Sequence, residues 1–341
     1  MSRRNSPAAR ALVSAVPFGG VERRPIETLE EAGVDCALNP LGRRPTEAEL
    51  ADLVAGFDVL IAGLEPITAY VLERAGRLRF ISRATVGLES VDLNAARERG
   101  IPVAYTPGAN AQAVAELTLG LMIALLRGVP RADASLRRGE WNQVMGRCLE
   151  EVTVGILGVG RIGKRIARHL ADLGAKILGN DIAPDETFGA QIGLRWAEKE
   201  EIYREADVVS LHLPATPLTV GLIGRGELAM MKPGALLINT ARGQIVDEAA
   251  LAEALRSGHL GGAGLDVFRE EPYSGELVRL GNCLLTCHMG ARTRSSRLRM
   301  EVEAAENVVC FLRGDPVPGL VPESEYELQR MTARAGVKGP G

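Results

Sequence analysis

The sequence predicts an α/β protein of two domains, each a parallel sheet with helices on both faces, the first domain discontinuous along the chain. Three observations predict it. Short apolar, β-branched runs alternate with helical patterns through most of the chain, the pattern of strand–helix–strand crossovers. One such crossover, residues 152–181, carries a glycine turn of distinctive spacing. The length of 341 residues suffices for about two domains.

Taken in order, residues 11–16, 36–38, 59–62, 80–83 and 103–105 read as strands, and 22–32, 46–54, 69–75 and 93–99 as helices. Thr46 is placed to cap its helix, with Glu49 completing a capping box. Thr106-Pro107-Gly108 is a turn signal and marks the first domain boundary. A helix over 109–127 follows, with Val114, Leu117, Leu121 and Leu125 along one stripe. It is apolar around much of its circumference, which predicts that it packs against a second subunit as well as its own sheet, Trp141 joining that interface.

Residues 152–181 read VTVGILGVGRIGKRIARHLADLGAKILGND. Val152, Val154, Ile156 and Leu157 form a strand. Gly158, Gly160 and Gly163 form the turn, and Ile162, Ile166, Leu170 and Leu173 line one face of the helix after it. A second strand then ends at Asp181. Gly158 permits the tight turn, Gly160 lets backbone approach a pyrophosphate, and Gly163 lets the helix pack closely, so that orphan N–H groups, with Arg161 and Ile162, meet the phosphates. Asp181 falls where a carboxylate accepts hydrogen bonds from ribose hydroxyls and repels a 2′-phosphate, which predicts NAD rather than NADP. This is a Rossmann-type dinucleotide unit.

Strands at 207–212, 235–240, 262–268 and 283–287, with a helix at 248–256, complete a nucleotide-binding sheet of six or seven strands. A last helix over 295–312 (Leu298, Val302, Ala305, Val309, Leu312) returns to the first domain. The expected organisation is a substrate domain of residues 1–106 and 293–330, a Rossmann domain of 107–292, and a disordered tail of 331–341.

Composition narrows the function. With 46% hydrophobic and 24% charged residues and a net charge of −3, the chain has no basic footprint for nucleic acid. Its five scattered cysteines read as reduced thiols of a cytoplasmic protein. Cys283, Cys287 and His288 are close in sequence, but no second ligand pair has zinc spacing and strand alternation splits them between faces, so no metal is expected. No signal-type apolar region follows MSRRNSPAAR, and the apolar stretch 117–126 is too short to span a bilayer, so no membrane partner is expected.

The four histidines are His169, His212, His259 and His288. His169 lies mid-helix and His259 in a turn, positions that suit packing or surface. His212 and His288 each end a strand at its carboxyl edge, where ligands gather in an open α/β sheet. Arg242, after ALLINTA, and Glu271, after GLDVFRE, stand at equivalent strand ends.

The runs LLINTARGQIVDEAALAEAL and GAGLDVFREEP and the tetrapeptide His288-Met289-Gly290-Ala291, in that order after GILGVGRIG, resemble the D-isomer-specific 2-hydroxyacid dehydrogenases, the family that includes D-3-phosphoglycerate dehydrogenase. ISRATVGLESVDL and TPGANAQAVAELTLGLMIALLR resemble that family's substrate loop and its domain-joining dimer helix, and the likeness runs from about residue 55 to residue 315. The resemblance implies an NAD-dependent enzyme, homodimeric through the 109–127 helix, that interconverts a small 2-oxo acid and its D-2-hydroxy acid. It makes Arg242 the grip on the substrate carboxylate, His288 the acid/base and Glu271 the partner of the imidazole. It places Asp266 near the nicotinamide carboxamide, Pro214, Thr240 and Ala241 along the cofactor with His212 and Gly290 beside them, Arg83, Val86 and Gly87 on the substrate, and Asn110 in the hinge. The chemistry suits these roles, because imidazole exchanges protons near neutrality and a guanidinium fork matches a carboxylate.

Two departures bear on the substrate. The family's substrate loop often carries a further glycine, a Thr before its last glycine and an Asp-Asn pair after it, where this chain has Thr85-Val86-Gly87 and Glu89-Ser90. No arginine follows the strand ending Ala62-Gly63-Leu64-Glu65, which speaks against phosphoglycerate. Arg292 and Arg294 are a basic addition after His288 that suits surface charge or a second anionic group on the substrate. Relatives that act as NAD-sensing corepressors are the alternative, and the complete Arg, Glu and His set argues for catalysis.

Overall fold

The structure is a computed structural model that describes residues 9–334. The described residues divide into two compact units, one of residues 9–110 and 292–334, the other of residues 111–291.

The first unit opens with β1 (Arg10–Val13), α1 (Arg24–Glu31), β2 (Asp35–Leu38), α2 (Glu47–Val54), β3 (Val59–Ala62), α3 (Ala69–Arg74), β4 (Phe80–Arg83), α4 (Leu93–Glu98) and β5 (Val103–Ala104). The strands pair in parallel in the order β2-β1-β3-β4-β5. β3 and β4 are buried along their whole length, as central parallel strands must be when both faces are covered. The capping box expected at α2 forms: Glu49 N–H donates to Thr46 Oγ1 at 3.3 Å and Thr46 N–H donates to the Glu49 carboxylate at 2.9 Å.

The second unit begins with α5 (Ala111–Leu126) and α6 (Val129–Arg137), then β6 (Thr153–Leu157), α7 (Arg161–Asp172), β7 (Lys176–Asn180), α8 (Glu186–Ile192), β8 (Arg195–Trp196), α9 (Lys199–Glu205), β9 (Val208–Leu211), α10 (Arg225–Met230), β10 (Leu236–Asn239), α11 (Glu248–Arg256), β11 (Gly262–Leu265) and β12 (Cys283–Leu285). Its seven parallel strands run β12-β11-β10-β9-β6-β7-β8, the doubly wound order in which the chain reverses between β6 and β9. Ile156, Leu211, Leu237 and Ile238 are fully buried between the layers; each such side chain stabilises the fold by roughly 1.5–3 kcal/mol. The chain then returns to the first unit as α12 (Arg294–Arg313), which packs on α1 and β4, and α13 (Glu323–Arg334), which packs on α4.

Several expectations are corrected. The expected strand over 11–16 ends at Val13, that over 262–268 at Leu265 and that over 283–287 at Leu285, because the chain leaves the ladder to form loops at the carboxyl edge. Cys287 and His288 therefore lie in a loop, and strand alternation does not govern them. Residues 331–334, expected in a disordered tail, continue α13, whose Thr332 hydroxyl bonds the Leu328 carbonyl at 2.8 Å; residues 335–341 lie outside the described residues. Helix α6 was not expected. Pro130 occupies the first turn of α6, where its missing N–H costs nothing. Among the described residues no single helix is long and apolar enough to cross a membrane.

Candidate active site

The glycine turn is built as its spacing predicts. Gly158 has φ +91°, and a Cβ on it would lie 2.6 Å from the His212 carbonyl oxygen; a Cβ on Gly163 would lie 2.1 Å from that of Gly158. Neither position admits a side chain. A Cβ on Gly160, by contrast, would meet nothing within 4 Å, so its lack of a side chain leaves room on the ligand side. Gly160 is also the N-cap of α7, and no side chain caps that helix. Its free N–H groups and dipole are a ready phosphate cradle. Arg161 is exposed and Ile162 half-buried on the first turn.

Asp181, just past β7, accepts the Val159 N–H at 2.7 Å and the Ala183 N–H at 3.0 Å. A carboxylate has about four acceptor sites, so it keeps capacity for a ribose diol. At the end of β9 the His212 Nε2 lies 2.7 Å from the Ser210 hydroxyl, and its Nδ1 is buried with no partner among the described residues. Burial pushes His212 down to about 3, so the ring is neutral. Thr240 shares a 2.8 Å hydrogen bond with Thr118 of α5, Ala241 is buried beside it, and Pro214 is exposed on the following loop. These features fit a dinucleotide: an uncapped helix start, open backbone at Gly160, and an acidic residue at the strand end.

The chemistry-bearing residues lie on loops past β10, β11 and β12. Asn239 shapes the first of these: its side chain accepts the Ala241 N–H at 3.0 Å and donates to the Arg242 carbonyl at 2.9 Å. Arg242 follows, its Nη1 donating to the Ala241 carbonyl at 2.7 Å. Glu271 accepts the Phe268 N–H at 3.1 Å through Oε1 and faces His288 Nδ1 at 2.7 Å through Oε2. Burial pushes the Glu271 carboxyl up, but the hydrogen bonds from His288 and Phe268 and the nearby Arg242 outweigh it and hold it below the ordinary value. The bond to Glu271 raises His288 above the ordinary imidazole value against burial and the charge of Arg242, which lower it.

Asp266 holds the loop on which His288 stands. This carboxylate, 1% exposed, accepts the Thr286 hydroxyl at 2.6 Å and the N–H groups of Met289 and Gly290, each at 2.8 Å. The His288 N–H donates to the Asp266 carbonyl at 2.8 Å. His288 has φ +50°, the one positive value outside glycine among the described residues. Such a conformation persists only where its surroundings over-determine it, and it collects at functional sites. Asp266, expected beside the carboxamide, thus engages both oxygens with this loop.

Residues 119–290 match the family model described as D-isomer specific 2-hydroxyacid dehydrogenase, NAD binding domain. The chain is 37% identical over 290 residues to the glyoxylate reductase of Thermococcus litoralis, covering 82% of this chain and 88% of that one. The chain belongs to the D-isomer specific 2-hydroxyacid dehydrogenase family. This family member is an NAD-dependent oxidoreductase with the two-sheet architecture described above. It is also 38% identical to the D-3-phosphoglycerate dehydrogenase of Methanocaldococcus jannaschii over 87% of this chain, but spans only 57% of that enzyme's length. A solved D-lactate dehydrogenase from Aquifex aeolicus, complexed with NAD and lactic acid, superposes with a TM-score of 0.78 at 26% identity, covering 90% of this chain and 96% of that one.

The other residues expected on substrate lie in the first unit. Arg83 ends β4 fully buried, its Nη2 donating to the Ser90 hydroxyl at 2.9 Å and the Gly87 carbonyl at 3.3 Å. Val86 and Gly87 are half-buried in the loop it braces. Asn110 has a buried Oδ1 without a partner among the described residues. Arg292 and Arg294 are exposed at the start of α12. Two residues escaped sequence reasoning. Glu65 is 2% exposed beyond β3, and Ser14, beyond β1, hydrogen-bonds it. A charged residue three positions past the end of a fully apolar parallel strand was the available signal.

Proposed function

We propose that this dehydrogenase interconverts a small 2-oxo acid and its D-2-hydroxy acid, with His288 as acid/base, Glu271 as its partner and Arg242 as the carboxylate grip. The observation that carries the reading is the 2.7 Å contact of His288 Nδ1 with Glu271, on loops adjoining that of Arg242 in the same unit. Glu271 keeps the proton on Nδ1 and favours the charged ring, which leaves Nε2 to deliver a proton to the carbonyl oxygen or take it back. The Arg242 guanidinium matches the substrate carboxylate and orients it. The bound nicotinamide supplies or accepts the hydride.

In this reading Gly158, Gly160, Arg161, Ile162, Gly163 and Asp181 hold the cofactor phosphates and ribose, and His212, Pro214, Thr240, Ala241, Asp266 and Gly290 line the rest of it. Arg83, Val86, Gly87 and Asn110 are the further residues proposed to bind the substrate. The test is NADH oxidation with glyoxylate, hydroxypyruvate, pyruvate and branched 2-oxo acids. Turnover with at least one supports the reading; none, in protein that binds NADH, overturns it.

The enzyme is further proposed to be a cytoplasmic homodimer that pairs through the 109–127 region and has no nucleic-acid or membrane partner. Ile123, Val129, Leu136, Trp141 and Met145 support the pairing: they are exposed apolar side chains, Trp141 at 81% and Met145 at 97%.

A further inference from the structure

The sheet of the first unit has the order β2-β1-β3-β4-β5. In this topology the chain reverses between β1 and β3, and the crevice beyond the carboxyl ends of those strands is where ligands bind. Ser14 follows β1, Glu65 follows β3 and Arg83 ends β4, so three polar residues stand at the carboxyl ends of three adjacent strands.

All three are buried: Ser14 and Arg83 at 0% exposure and Glu65 at 2%. The Ser14 hydroxyl donates to Glu65 Oε1, which also accepts the Gly63 N–H at 2.8 Å. The carboxylate is therefore held in place by its own turn. Of the three guanidinium nitrogens of Arg83, only Nη2 is bonded; Nε and Nη1 are buried with no acceptor among the described residues. Burial lowers Arg83 to about 10, with Glu65 the largest opposing influence. A buried guanidinium with two unmet donors is costly unless a ligand supplies the acceptor.

We infer that Glu65 is a specificity-determining residue, which together with Arg83 selects 2-oxo acids bearing a neutral hydroxyl at C3 over those bearing a second anionic group. The inference rests on the substrate-binding role proposed for Arg83. An arginine alone would welcome a second carboxylate or a phosphate. With Glu65 fixed nearby, a further negative charge meets repulsion in a site of low dielectric. A hydroxyl satisfies both residues: it accepts from the guanidinium and donates to the carboxylate. A hydrogen in its place leaves the polar pair unmet, the situation that gives a site strong discrimination.

The test compares kcat/KM for hydroxypyruvate, pyruvate and oxaloacetate, which differ at C3 in carrying a hydroxyl, a hydrogen and a carboxylate, with glyoxylate as the substrate lacking C3. The wild type is expected to favour hydroxypyruvate over pyruvate and over oxaloacetate by about tenfold or more, the worth of a hydrogen bond to a charged group. Glu65→Gln keeps an acceptor for Ser14 and Gly63 but loses the charge. It is expected to lower the hydroxypyruvate-to-pyruvate ratio about tenfold through KM, raise kcat/KM for oxaloacetate, and lower kcat/KM for glyoxylate less than that for hydroxypyruvate. Should that variant misfold, Ser14→Ala, which unpins the carboxylate, is expected to lower the same ratio. A wild type that favours oxaloacetate, or variants in which all four substrates decline in parallel, overturns the inference while the dehydrogenase reading stands. A wild type that reduces none of the four overturns both.

Discussion

His288 presents Nδ1 to Oε2 of Glu271 at 2.7 Å, and the ring is held there from a loop whose backbone is tied to Asp266. The pairing sets both the tautomer and the proton affinity of the imidazole. Because the bond to Glu271 raises His288, oxo-acid reduction, which needs the protonated ring, should be flat at low pH and fall only as pH rises through that raised value. Oxidation of the hydroxy acid should show the opposite limb. Glu271→Gln removes the largest raising influence, so the limb should move to lower pH. The same sign governs stability: the pair's contribution through His288 is full below the unfolded imidazole value of about 6.5 and is lost as pH rises through the folded one. A pH–kcat/KM profile that does not move in Glu271→Gln would contradict this assignment.

His288→Gln should lower kcat by between about 10² and 10⁴, the usual worth of positioned acid–base catalysis. NADH binding, followed by nicotinamide fluorescence, should stay near that of the wild type. Loss of both together would point to collapse of the Asp266-bound loop rather than to proton transfer.

Arg242→Lys keeps the charge but removes the planar fork. The expected outcome is a rise in KM for the oxo acid of about tenfold or more with little change in NADH affinity, measured by steady-state kinetics.

A 2′-phosphate would meet the Asp181 carboxylate, already fixed by the Val159 and Ala183 N–H groups. Like charges in contact cost several kcal/mol, so kcat/KM with NADPH should be about 100-fold or more below that with NADH. Asp181→Ser should narrow the gap; equal rates in the wild type would remove Asp181 from the role.

Gly243 follows Arg242, and a Cβ on it would lie 1.9 Å from the Phe268 carbonyl carbon and 2.2 Å from its oxygen. Two loops touch there, one carrying Arg242 and the other leading to Glu271. Gly243→Ala should therefore destabilise the protein by roughly 1–3 kcal/mol and lower activity by separating the two. Gly226→Ala is the control, since a Cβ there meets nothing within 4 Å; it should leave the melting temperature unchanged or slightly raised.

The amino-acid pattern alone determined the alternating α/β architecture, the glycine turn and its acidic partner, since each depends on residues close in sequence and on periodicities of two and 3.6 residues. Arg242, Glu271 and His288 were legible as strand-end residues because a parallel sheet gathers such positions on one edge. Tertiary structure decided what no local pattern encodes. It tied the 286–290 loop to Asp266, gave His288 its positive φ, and set the Glu271 carboxylate against Nδ1. It also buried Glu65 with Ser14, 51 positions away, at the switch point between two strands. Hydrogen bonds of this kind join residues whose separation along the chain is unrelated to their separation in space, so strand order and loop packing, rather than composition or period, determine which polar groups meet.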